Sequence, residues 1–230
     1  MNPLRSSLLL LALLLPLSAA AQQRDFGTEY SLSASFKIAK GWKLDLSEEI
    51  RLTDNSSRYT RSESSLMLQY SPLRRQLKPC NMRWRIGAGY AFLNKQNSQL
   101  RFYCQHRFVL QSSLSRDFDP FRLTLRLRWQ SSYRNPAAGS YRLNPQNYLR
   151  LRAAVRFGQP DSPWSFDLSD ECLCRTGDPK GNFIDENRLI LSASRQLDRT
   201  KSLTLSARLS RELQVKNPQT LLLLGLGLEL

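Results

Sequence analysis

The chain is poor in the residues on which most catalytic and metal sites depend. It holds one histidine, His106, and four cysteines, Cys80, Cys104, Cys172 and Cys174, in 230 residues. One imidazole cannot build a histidine-rich metal centre, and Cys172-x-Cys174 lacks the C-x-x-C spacing of a zinc site, with the other two cysteines on distant segments. No metal or other cofactor is therefore expected. Carboxylates are scarce too, 19 against 34 Lys and Arg, for a formal net charge of +15. Past the first residues the longest apolar run, Leu221 to Leu228, falls far short of the roughly 20 residues of a membrane helix. That shortage excludes a transmembrane helix but not a membrane β-strand, in which only alternate residues meet lipid.

The first residues read differently. Arg5, an apolar run from Leu8 to Leu15, Pro16 and the small residues Ser18 to Ala21 have the order of a secretory leader, so residues 1–21 are expected to be removed before Gln22. No cysteine follows the small residues, so a lipoprotein anchor is not indicated. Losing Arg5 leaves the exported chain, residues 22–230, at +14, a length that suits a single domain. Its arginines are spread singly along the chain rather than clustered, and an exported protein meets no nucleic acid in the ordinary course, so nucleic acid is not an expected partner.

What the sequence does contain is alternation. In Phe121 to Gln130 the apolar Phe121, Leu123, Leu125, Leu127 and Trp129 take every second place, with Arg122, Thr124, Arg126, Arg128 and Gln130 between them. Period two describes a β-strand with unlike faces. Ten further segments repeat it, from Phe26–Ile38, Trp42–Leu52 and Ser64–Tyr70 to Met82–Phe92 and Leu100–Leu110. Leu149–Phe157, Trp164–Leu173, Glu186–Ala193, Leu203–Leu213 and Leu221–Leu230 follow, separated by turn residues such as Lys40-Gly41 and by longer loops at 133–146 and 174–182. The expected fold is all-β, an antiparallel up-and-down transmembrane barrel of 10–12 strands. Eleven segments leave the two termini on opposite sides, and single-chain bacterial barrels usually have an even number, so twelve is favoured.

The apolar face is expected to meet lipid. Trp42, Tyr70, Trp84, Phe108, Phe121, Phe157 and Trp164 are then expected as an aromatic girdle on one side, at headgroup level. The charged face is expected to form a network in the lumen. Its members are Glu49, Arg51, Glu63, Arg83, Arg85, Arg101, Tyr103, Gln105, Arg122, Arg126, Arg128, Arg150, Arg152, Asp167, Glu171, Arg188, Arg208 and Glu212, with Arg107, Arg156 and Glu186 on the same face. Arginine–carboxylate pairs there would lock strands together, and the arginine excess would favour a small anion.

Several short motifs carry a resemblance. Glu49-x-Arg51, Gly87-x-Gly89-Tyr90, Arg101-x-Tyr103-x-Gln105, the arginines of the sixth and seventh strands, Glu171, and Asn187-Arg188 after Phe183 resemble an uncharacterised outer-membrane β-barrel family, domain of unknown function 2490. The resemblance implies an outer-membrane location and no established activity. Leu230 departs from the aromatic residue with which such barrels commonly end.

The expected function is therefore a non-enzymatic outer-membrane barrel of a Gram-negative cell, structural or a narrow, porin-like pore favouring anions. Its expected partners are outer-membrane lipids, periplasmic chaperones, the barrel-assembly machinery and a small anion. One alternative is a lipid-modifying hydrolase at the membrane rim using His106, which parity turns outward; its position +2, where related enzymes carry serine, is Phe108. Another is a secreted soluble β-barrel that binds a ligand.

Overall fold

The computed structural model describes residues 24–97, 99–134, 145–158, 162–177, 181, 183–198, 200–213 and 219–230. The expected leader and most of the 133–146 loop lie outside them. The strands are β1 (Arg24–Ala39), β2 (Trp42–Thr53), β3 (Arg58–Tyr70), β4 (Met82–Gln96), β5 (Phe102–Asp117) and β6 (Phe121–Arg134). They continue with β7 (Gln146–Phe157), β8 (Trp164–Thr176), β9 (Phe183–Gln196), β10 (Ser202–Glu212) and β11 (Thr220–Glu229). Between β3 and β4 the chain makes one turn of helix, α1 (Arg74–Leu77), and a 3-10 turn (Lys78–Cys80). This helical connection is absent from the pattern of alternation.

Sequential strands pair as hairpins, and β1 closes on β11, giving a closed barrel of eleven strands. The eleven alternating segments are thus the eleven strands, and the favoured count of twelve is corrected. The reason is the seam. An odd number of alternating strands makes the first and last run the same way, and β1 and β11 pair in parallel over Arg24–Ser33 and Thr220–Glu229. All other neighbours are antiparallel. Closure requires only that both edges be hydrogen-bonded, and a parallel ladder does this with slightly weaker geometry. Among the described residues no helix is long and apolar enough to cross a membrane.

Hairpin connectivity gives the barrel two unlike ends. The end holding the β1–β2, β5–β6 and β9–β10 turns, α1 and the finish of β11 is the short-turn end. The other, where β1 begins and the longer β6–β7 connection lies, is the loop end. Gly41 supplies the positive φ of 85° that the Lys40-Gly41 turn requires.

Across the barrel wall, polarity is inverted relative to a water-soluble protein. Large apolar side chains are exposed on every strand, including Phe36, Leu46, Leu68, Ile86, Leu110, Leu127, Leu151, Leu168, Leu191, Leu205 and Leu226. Glu29, Arg51, Arg107 and Glu171 are buried. Because faces alternate along each strand, the buried charged face is the inner one. A few apolar residues join it, and Leu223 on β11, 1% exposed, lies opposite Gly27 of β1. A Cβ on Gly27 would stand 2.4 Å from the Leu52 carbonyl oxygen and 2.7 Å from Leu223 Cδ2. Gly27→Ala should therefore strain the seam by roughly 1–3 kcal/mol, as overpacking does. The check is a fall in denaturant midpoint at unchanged slope.

Candidate functional site

Parity turns arginines and glutamates of neighbouring strands toward one another, and their contacts line a belt inside the loop-end half of the barrel. Glu29 on β1 accepts from Arg51 Nη2 at 2.6 Å and from Arg208 Nη2, across β11, at 2.9 Å. Glu49 on β2 accepts from Arg51 at 3.4 Å and from Arg61 of β3. Glu63 binds Arg107 of β5 at 3.0 Å, with the small Ala91 of β4 level with Arg107 in the register. Arg107 Nε continues to Ser132 Oγ of β6 at 3.1 Å.

Glu171 of β8 is the second hub. Arg126 of β6 donates to Oε1 at 2.8 Å, Arg150 of β7 to Oε2 at 2.5 Å, and Arg188 of β9 approaches to 3.6 Å. Arg188 also binds Glu186 through both Nε and Nη2 at 2.8 Å, the forked contact that guanidinium geometry favours. Arg150 reaches Gln130 at 3.2 Å and Arg128 is held by Gln111 Oε1 at 2.7 Å. Every strand but β4 and β11 contributes, and there the buried apolar Ala91, Leu93 and Leu223 occupy the inner face.

Nearer the short-turn end the pairs are smaller and more open. Asp117 accepts from Arg83 at 2.5 Å and from Arg122. Asp167 meets Arg152 at 3.3 Å and Arg156 at 3.4 Å.

Several expected members stand elsewhere. Arg101 is exposed in the β4–β5 turn, where its N–H donates to Asn97 Oδ1 at 2.9 Å, and takes no part in the belt. Glu212 is exposed at the end of β10 without an ion pair among the described residues. Arg85 points inward without a hydrogen bond or ion pair among them. Tyr103 lies under the Arg134 guanidinium, 4.0 Å from the ring centroid, and Gln105 is buried with no hydrogen-bond partner for its Oε1 among the described residues. Glu29 and Arg61, which complete the belt, are missing from the expected set, although the parity of its strand points to Glu29.

On the outer face, Trp42, Tyr70, Trp84, Phe121, Phe157 and Trp164 begin or end their strands at the short-turn end. Trp42 and Tyr70 are paired at 4.8 Å and Phe121 and Phe157 at 6.2 Å. Phe108 does not join them and is corrected. It sits midway along β5, its register partners Tyr90 and Ser131, in an aromatic cluster with Tyr90 and Tyr133. His106 belongs to this second cluster, its Nδ1 2.6 Å from the Tyr90 hydroxyl. The four cysteines carry free thiols.

The arrangement defines a closed, mostly antiparallel β-barrel with an internal arginine–carboxylate belt. The chain belongs to the family described as protein of unknown function, DUF2490, whose model matches residues 26–217. The match spans β1 to β10 and thus both hubs of the belt. No curated protein matches the sequence.

Proposed function

We propose that this is a membrane-spanning barrel of a Gram-negative outer membrane, exported by its leader and folded there by periplasmic chaperones and the barrel-assembly machinery. It has no catalytic role, and its interior is sealed by its own ion pairs. The single observation that carries the reading is the inverted polarity, with apolar side chains outside and buried charges inside. A soluble ligand-binding barrel has the opposite order.

The belt supports a sealed interior. Its arginines bridge neighbouring strands and reach across intervening ones, and the remaining inner space at β4 and β11 is taken by Leu93 and Leu223. The purified protein is expected to require detergent and to change gel mobility on heating; a monomer that stays soluble without detergent would end the reading. In planar bilayers it is expected to pass no steady current.

A second reading, a narrow anion path, has one observation in its favour. The buried Nε donors of Arg61, Arg150, Arg152 and Arg208 have no hydrogen-bond acceptor among the described residues, and buried donors usually have one. A resolved anion-selective current that falls on Arg126→Glu would establish this reading in place of the sealed one. A lipid hydrolase has less support. The Tyr90 hydroxyl is the only hydrogen-bond partner of the His106 ring among the described residues, so the ring lacks the third, orienting group that such chemistry uses. Fatty-acid release from vesicles that disappears in His106→Ala would revive it.

A further inference from the structure

At the short-turn end the barrel opens into a cavity of about 640 Å³ whose charge is unlike that of the belt above it. Its walls carry seven cationic side chains and one carboxylate, Asp117. The cations come from three separate elements: Lys37, Lys40 and Lys43 from the β1–β2 hairpin, Arg74 and Lys78 from the helical connection, and Arg83 and Arg85 from β4. In the belt, each carboxylate hub is shared among arginines. Here the balance fails. Arg83 is held by Asp117 and Lys43 by Asp45 at 2.9 Å. Lys37, Lys40, Arg74, Lys78 and Arg85 have no ion pair or side-chain hydrogen bond among the described residues.

The cavity is a constructed feature of the mouth. The 3-10 turn that carries Lys78 is tied to Asn81, whose carbonyl accepts from the Asp117 N–H at 2.9 Å, anchoring the connection to the end of β5. The cavity also takes Gln69 and Ser71 into its lining. Its volume falls in the range of small-molecule sites, about 300–1,000 Å³. Like charges held together on fixed backbone repel one another and concentrate field in a concave site, which an anion of matching charge relieves. A single chloride could answer one or two of these groups. Cations on three walls call for an anion with several charged oxygens, for which guanidinium and ammonium donors are suited.

We propose that this mouth is a binding site for a phosphate-bearing polyanion, held between Lys37 and Arg85 inside and Lys40 and Arg74 at the rim. A free polyphosphorylated compound and the headgroup of a phospholipid with two phosphates share that chemistry. The site rests on the barrel reading only in placing this mouth at an aqueous boundary.

The test is a calorimetric titration of the full detergent-folded protein with sodium tripolyphosphate at about 50 mM salt, where screening is moderate. Lys37→Gln/Arg85→Gln is expected to weaken binding at least tenfold, and Lys201→Gln, in the β9–β10 turn at the same end, to leave it unchanged. Lys40→Gln/Arg74→Gln, on exposed rim positions, serves if the first variant fails to fold, and folding of every sample is read from its heat-shifted gel mobility. Displacement of tripolyphosphate by cardiolipin, and not by phosphatidylcholine, in mixed micelles assigns the site to a headgroup; absence of displacement assigns it to a free compound. Equal titration curves for wild type and variants, or no binding by wild type of either probe, would overturn the proposal. A steady anion current would overturn the sealed interior and leave the site standing, and loss of binding leaves the barrel reading standing, so the two fail separately.

Discussion

Glu171→Gln is expected to destabilise the barrel by about 3–5 kcal/mol, the usual consequence of removing one partner from a buried ion cluster. The carboxylate is 1% exposed and is the shared partner of Arg126, Arg150 and Arg188, from three different strands. A neutral amide of the same shape keeps the packing but leaves Arg126 and Arg150 without a counter-charge among the described residues, and leaves Arg188 with Glu186 alone. The three side chains are only 13–20% exposed, so little of the loss is recovered from water. Urea unfolding in detergent micelles measures it as a lower midpoint at unchanged slope. Glu212→Gln, exposed at the end of β10, is the control and should stay within about 0.5 kcal/mol of wild type. A Glu171 variant as stable as that control would show that the belt is not what ties β6 to β9.

The second large effect concerns the outer face. Leu125→Arg places a charge near the middle of β6, where the leucine is 48% exposed between Leu114 of β5 and Ala153 of β7. If that face meets hydrocarbon, folding into phosphatidylcholine vesicles should become less favourable by roughly 2–4 kcal/mol, the cost of arginine near a bilayer midplane. A soluble barrel would accept the same exposed arginine almost without cost. The two expectations differ by more than the error of a refolding titration. An arginine at Phe166, closer to the short-turn end, should cost less, because the penalty falls toward the interface.

The sequence pattern determined faces far better than heights. Parity alone placed Leu123, Leu125 and Leu127 outside and Arg126 and Arg128 inside, since a one-residue slip would have exchanged the whole set. It could not say where along the barrel a residue lies. Arg101 and Glu212 have inward parity, yet they sit at strand ends, where the wall no longer encloses them. Phe108 has outward parity, but strand tilt and register put it beside Tyr90 and Tyr133 instead of Trp84. Glu29 was visible by parity in its own strand and gained its role only through long-range register, across β11 to Arg208, while Arg61 lies in the part of β3 that precedes the Ser64–Tyr70 alternation. Leu223 shares the odd positions of Gly225 and Gly227, and a glycine on β1, far away in sequence, gives it space inside.

The basic mouth was less legible still. Lys37, Arg74 and Arg85 lie on three different elements, and α1, which carries one of them, has no periodic signal to announce it. Only the fold brings them to one cavity.

The parallel seam also bears on the order of assembly. Ten of the barrel's pairings join strands adjacent in the chain and can form as successive hairpins. The β1–β11 ladder joins the first strand to the last and waits until the whole sheet has been laid down. Until then β1 and β10 present bare backbone edges, the kind that recruit foreign strands. Closure is thus the final, all-or-none act of folding, and a chain stalled before β11 is a sticky open sheet rather than a smaller barrel.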